Sequence, residues 1–277
     1  MKNTNKVIIY DDTCPFCGAY TKAFVKAGLV KEKNRIGFNS IDHNMLAHIN
    51  TERCNNEIPV IDTQTKEVWY GVDALVEILH QKISFIKPVA NIKPVKWILL
   101  KLYKFISFNR KVIVAPKIKQ GSFDCTPDFN LRYRFLFLLI FLIADTLMLY
   151  PIHKNIISNS FINHTSSNQL QLAHFILVAI NVAIAIRLNK HNGFEYLGQT
   201  NMLASVTILL TLPLLMLNKY TQYANPLFNS IYLILITAFI IKEYIRRMKF
   251  AGIFQNNTWV IFINIISIAA FFTYLIM

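Results

Sequence analysis

A chain of 277 residues with 54% hydrophobic residues and a mean hydropathy of +0.37 is too apolar for two soluble domains, so part of it is expected in lipid. The net charge of +14 suits either nucleic acid or an anionic membrane surface, and the placement of the charges favours the membrane. Four cysteines, two of them isolated, exclude a disulfide framework. The polar first residues lead directly into a strand, so no signal peptide is expected and the cysteines are expected in the reducing cytosol.

Residues 6–10, Lys-Val-Ile-Ile-Tyr, are β-branched and aromatic like a buried strand, and residues 18–29 carry apolar side chains at helical spacing. Between them lies Asp11-Asp12-Thr13-Cys14-Pro15-Phe16-Cys17. This places the cysteine pair at a helix N-terminus, where free amides and the helix dipole favour a thiolate. Cys14 is therefore expected to attack disulfides and Cys17, one turn in, to resolve the mixed disulfide. Pro15 suits the first turn because it has no amide hydrogen to lose. Two cysteines without a second pair cannot close a tetrahedral zinc site. A metal-carrier domain and an inert pair remain as other readings, and no metal or cofactor is expected.

Strands are predicted over 35–41, 57–62 and 67–71, a short helix capped by Asp42 over 42–50, and an amphipathic helix over 72–81. The order βαβαββα is similar to the thioredoxin and glutaredoxin fold. It more closely resembles the DCC family of thiol-disulfide oxidoreductases, on Tyr10, Asp11, Cys14 and Cys17, then Ile58-Pro59-Val60 and Tyr70-Gly71-Val72-Asp73. The resemblance implies a site made of Asp11, Cys14, Cys17 and Pro59. It also implies a cis Pro59, which would aim the Ile58 backbone at the sulfurs, ready for an incoming peptide. Asp11 reads either as a proton acceptor for Cys17 or as a solvated residue at the strand end. Asp12 departs from the family's glycine, and its carboxylate is expected to oppose the Cys14 thiolate. Cys54 is near enough in sequence to Pro59 to approach the site.

From 83 to 134 the chain reads as a basic bridge. No acid occurs between Glu77 and Asp124, whereas ten Lys and Arg residues lie between positions 82 and 119. Residues 96–108 are predicted to form an amphipathic helix on an anionic lipid surface, and no nucleic-acid partner is expected. A turn at 124–128 places Cys125, a candidate third redox thiol, just before the membrane.

Five apolar runs follow, 135–152, 170–187, 202–217, 227–241 and 259–277, each near the length of a span. Lys and Arg concentrate before the first run and in the second-to-third and fourth-to-fifth loops. The N-terminal domain is therefore expected in the cytoplasm and the C-terminus outside. Asp145 lies near mid-membrane, at a depth between His174 and Asn181, and is expected to pair with one of them. The expected architecture is an α/β thioredoxin-like domain over 1–82, the bridge over 83–134 and an all-α transmembrane bundle over 135–277. The expected activity is exchange with a protein or small-molecule thiol or disulfide on the cytoplasmic face. Rival readings are a transporter or lipophilic-ligand binder with a redox-sensing domain, and a non-catalytic component of a membrane-protein complex.

Overall fold

Val7, Ile8 and Ile9 fill a sheet centre with 5%, 0% and 0% of their surface exposed. The computed structural model describes residues 5–116, 125–221 and 225–276, so the expectations for Lys117, Lys119 and Asp124, and for the extreme termini, lie outside the described residues. Strand β1 (Lys6–Tyr10) pairs in parallel with β2 (Arg35–Gly37) on one side. On the other it pairs antiparallel with β3 (Pro59–Asp62), which carries β4 (Val68–Tyr70) at the edge. The sheet order is β2-β1-β3-β4.

Helix α1 (Pro15–Lys26) follows β1. The helix predicted over 42–50 shortens to α2 (His43–Leu46), capped by Asp42 as expected, and a further short helix that was not predicted, α3 (Thr51–Cys54), follows it, capped by Asn50. The predicted long second strand stops at Gly37 and turns into a 3-10 segment, Phe38–Ser40. Helix α4 (Gly71–His80) closes the unit. One sheet face packs Ile8, Ile58, Val60, Ala74 and Ile78 against the aromatic face of α1. The other packs Val7, Ile9 and Ile61 against Phe38, Ile49, Cys54 and Cys125. The alternation of a strand thus sends each run of apolar residues into two cores.

After α5 (Ile86–Ala90) comes α6 (Lys93–Ile113), longer than the predicted amphipathic stretch. Its outer face exposes Trp97, Ile98 and Leu102 beside Lys101 and Lys104. Its C-terminal half buries Ser107, Asn109, Arg110 and Lys111. Contacts between backbones place α6 in the same compact unit as the sheet, Met1–Tyr133, with Arg134–Met277 as the second unit.

The second unit is helical: α7 (Leu131–Asn155), α8 (Ser167–Arg187), α9 (Lys190–Thr221), α10 (Pro226–Phe250), α11 (Ile253–Asn256) and α12 (Thr258–Ile276). Among the described residues five helices are long and apolar enough to cross a membrane. The third and fourth runs, short in sequence, gain flanking turns to reach 32 and 25 residues. Helices α8 and α9 approach so closely that a Cβ at Gly193 would stand 2.5 Å from the Ala185 carbonyl oxygen.

Candidate functional site

Cys14 is the N-cap of α1, in extended backbone, with Pro15 in the first turn. Its Sγ accepts the Cys17 amide at 3.4 Å. The preceding loop is held by Asp11, whose Oδ1 accepts the Thr13 amide at 3.0 Å, the Thr13 hydroxyl at 2.6 Å and the Cys14 amide at 3.2 Å. The other oxygen, Oδ2, faces the Arg110 Nη2 at 3.7 Å. Arg110 Nη2 also donates to the carbonyls of Asn55 and Cys125. Both Asp11 Oδ2 and Arg110 Nε are buried without a hydrogen-bond partner among the described residues.

This geometry separates the two thiols. A hydrogen bond from the Cys17 side chain lowers Cys14 from the ordinary thiol value to about 7, helped by the Cys17 amide and the Arg110 charge and opposed by burial and Asp11. The same bond, together with burial, pushes Cys17 far up. The carboxylate that opposes Cys14 is thus Asp11. Asp12, expected in that role, instead accepts from Asn39 Nδ2 at 2.6 Å. Arg110 is held above its usual value because the charges of Cys17, Cys14 and Asp11 outweigh its burial.

Pro59 departs from expectation. No peptide bond among the described residues is cis, so Ile58–Pro59 is trans. Pro59 opens β3 opposite Tyr70, and the Ile58 backbone is already used on both sides. Its amide donates to the Tyr103 hydroxyl at 2.9 Å, and its carbonyl accepts the Gly71 amide at 2.9 Å. Gly71 holds this turn at a φ of +57°, a conformation that L side chains rarely adopt. The Ile58 backbone therefore offers no free groups to an added peptide strand.

What occupies that place is α6. Tyr103 bonds the Ile58 amide, Ser107 donates to the Asn56 carbonyl, and Arg110 reaches the Asp11 carboxylate. Under this cover Cys14 is 1% and Cys17 4% exposed. A mostly apolar pocket of about 240 Å³ leads to Cys17, between Phe16, Tyr20 and Phe24 of α1 and Tyr103, Ile106 and Arg110 of α6. The sequence reading puts residues 96–108 on a lipid surface and gives Tyr103, Ser107 and Arg110 no part in the site. Two signals were present: Tyr103, Ser107 and Arg110 lie at helical i, i+4, i+7 spacing, and Arg110 is the one arginine between Arg53 and Arg132.

Cys54 and Cys125 do come near. Both are buried, and both line with Cys17, Asp11 and Arg110 a second, water-sized cavity. Burial raises each thiol to about 12.

The three intramembrane residues do not pair with one another. Asp145 accepts from Ser205 of α9 at 3.0 Å on each carboxylate oxygen. His174 meets Thr146, one residue along, at 3.4 Å. Asn181 accepts from Tyr196, which also bonds Asn264 at 3.0 Å. Matching depth alone does not choose a partner, because rotation about the helix axis points Asp145 toward α9.

Residues 8–115 match the family model described as DCC1-like thiol-disulfide oxidoreductase. The matched stretch contains Asp11, Cys14, Cys17 and Pro59 and extends over α6. No curated protein and no solved structure matches the chain.

Proposed function

We propose that the DCC1-like domain at residues 8–115 performs thiol–disulfide exchange on the cytoplasmic side of a membrane in which the five apolar helices anchor it. The observation that carries this reading is Cys14 at the N-cap of α1, with its Sγ accepting the Cys17 amide and its pKa drawn down to about 7. Cys14 attacks one sulfur of a substrate disulfide, the other leaves as a thiolate, and a mixed disulfide forms. Cys17 then gives up its proton and attacks Cys14 Sγ, which closes Cys14–Cys17 and releases the second substrate thiol. Asp11 Oδ2 is the acceptor for that proton, since no hydrogen bond occupies it. The exchange itself uses side chains alone, and the substrate is a protein or small-molecule thiol or disulfide that reaches the sulfurs beside α6.

A Cys17→Ser variant tests this. It should stall as a mixed disulfide on Cys14 with oxidised glutathione, seen by intact mass, whereas Cys14→Ser should form none. Faster alkylation of Cys17 than of Cys14 would reverse the roles.

The cytoplasmic placement rests on loop charge. Arg187 and Lys190 flank one loop and Lys242, Arg246, Arg247 and Lys249 the end of α10, against Lys154 and Lys219 on the opposite side. A C-terminal reporter fusion should be active only outside the cytoplasm. The exposed face of α5 and α6, with Phe85 67% and Trp97 63% exposed near Lys93, Lys101 and Lys104, fits an anionic lipid surface.

One observation favours a second reading, in which the spans hold a lipid-soluble ligand. A cavity of about 290 Å³ lies among them, walled by Leu138, Leu142, Leu177 and Ile240 with His174, Asn181, Tyr244 and Asn264 among its polar groups. Mass spectrometry of organic extracts of the purified chain should then find one neutral lipophilic species at near-stoichiometric amount, and an extract of bulk lipid alone would count against it.

A further inference from the structure

The cavity behind Cys17 joins residues that sequence distance keeps apart. It measures about 10 Å³, room for about one water molecule, and Cys17, Cys54, Cys125, Asp11 and Arg110 all line it. All four cysteines of the chain are therefore gathered in one unit, all are free, and none is more than 4% exposed. Two of these lining residues carry buried polar atoms with no hydrogen-bond partner among the described residues, Asp11 Oδ2 and Arg110 Nε. A packed apolar core would not leave two such atoms unpartnered on residues that share a cavity with two further thiols.

We propose that Cys54 and Cys125 form a second, internal dithiol that exchanges with Cys14–Cys17, so that the domain stores two disulfide equivalents rather than one. This rests on the exchange reading and extends it to the residues behind the site. Once a substrate disulfide has been reduced and Cys14–Cys17 has closed, the Cys125 thiolate attacks Cys17 Sγ. The bond to Cys14 breaks, and Cys14 leaves as a thiolate. Cys54 then attacks Cys125 of the Cys17–Cys125 mixed disulfide, and Cys17 leaves. Two electrons pass from the inner pair to the outer one, and the outer pair is ready for a second substrate. The two protons lost by Cys125 and Cys54 end on Cys14 and Cys17, carried across the cavity by Asp11 Oδ2. Cys54 comes second because its thiol already donates to the Asn50 carbonyl at 3.2 Å.

Two features favour the transfer. Arg110 is a shared cation: its charge draws down Cys14, Cys17, Cys54 and Cys125 alike, against the burial that raises the inner pair to about 12. The leaving group of the first step is Cys14, the most acidic of the four, and a thiol of low pKa leaves fastest. Arg110 also binds the Cys125 carbonyl and the carbonyl of Asn55, the residue after Cys54, so one side chain holds both inner cysteines' backbones at the cavity.

The test uses the full chain in detergent, reduced, then oxidised with excess glutathione disulfide, acid-quenched, alkylated under denaturing conditions and mapped by mass spectrometry. The expected result is two disulfide peptides, Cys14–Cys17 and Cys54–Cys125, with twice the oxidising equivalents taken up that one pair would take. Cys14→Ser, which cannot start the sequence, should leave Cys54 and Cys125 reduced. Wild-type protein with Cys14–Cys17 closed and both inner thiols alkylated would overturn the proposal while leaving the exchange reading intact. Formation of Cys54–Cys125 at the same rate in Cys14→Ser would overturn it as well, since the inner pair would then be oxidised directly. If Cys14–Cys17 neither closes nor forms a mixed disulfide, the exchange reading falls and the inner dithiol falls with it.

Discussion

The hydrogen bond from Cys17 is the largest influence on Cys14, so removing it is the most direct test of how this site makes a nucleophile. Cys14 is drawn from the ordinary thiol value of 9.0 to about 7, a difference worth roughly 3 kcal/mol. At pH 7 that keeps about half of Cys14 ionised, against about one part in a hundred for an unperturbed thiol. Cys17→Ala deletes the side-chain donor and leaves the Cys17 amide and Arg110 in place. Cys14 should then titrate above about 8, and its thiolate at pH 7 should fall about fivefold or more. Cys17→Ser keeps a hydroxyl donor and should hold Cys14 near the wild-type value. The assay is the rate of iodoacetamide alkylation of Cys14 against pH, read by peptide mass for each variant. Equal midpoints in wild type and Cys17→Ala would refute the reasoning and leave the helix N-terminus and Arg110 as the whole cause.

Three further outcomes are expected. Arg110→Met strips the cation from a buried pair with Asp11 and removes two carbonyl partners, so the N-terminal unit should lose about 3 kcal/mol or more, measured by urea unfolding of its tryptophan signal, and Cys14 should titrate higher. Gly71→Ala forces a side chain into a positive φ with its Cβ 3.3 Å from the Tyr103 ring, at an expected cost of about 1–2 kcal/mol in the same assay. Glu77 is lowered below the usual carboxylate value because bonds from Lys6 at 2.7 Å and Lys87 at 2.9 Å outweigh the burial that would raise it. Its contribution to stability is therefore complete above about pH 4.5 and lost as the pH falls through the lower folded value; Glu77→Gln should remove that acid-side slope, and an unchanged slope would contradict the assignment.

Much of the first unit was legible because its signals are local. A β-branched run, a proline after a cysteine and an aspartate before a helical turn each act through their own backbone, and β1, α1 and the Asp42 cap follow from them. The same locality explains the misses. The trans Ile58–Pro59 bond accompanies a backbone whose amide is taken by Tyr103, a residue 45 positions later, and no pattern near Pro59 announces it. Depth along the span was the only guide to a partner for Asp145, yet its partner Ser205 is 60 positions away on a helix face that hydropathy does not resolve. Short strands were overrun for a related reason: Phe38 is apolar like the residues before it, but its side chain fills the core from a 3-10 turn rather than from the strand.

The basic bridge shows how a compositional reading can misplace a residue. Most of its described lysines are exposed, with Trp97, Ile98 and Leu102 exposed among them. Arginine behaves differently from lysine in such a helix. Its planar guanidinium loses less on leaving water and can bind carbonyls and a carboxylate at once. Arg110 does this at 6% exposure, with two carbonyls and Asp11 as partners. A lysine there would have a single ammonium to divide among three acceptors that lie in different directions, and could not hold both carbonyls and the carboxylate at once. The helix therefore has two faces with separate tasks: the lysine face is set by composition and readable from it, and the arginine face is set by the buried acceptors it must satisfy, which only the folded chain brings together.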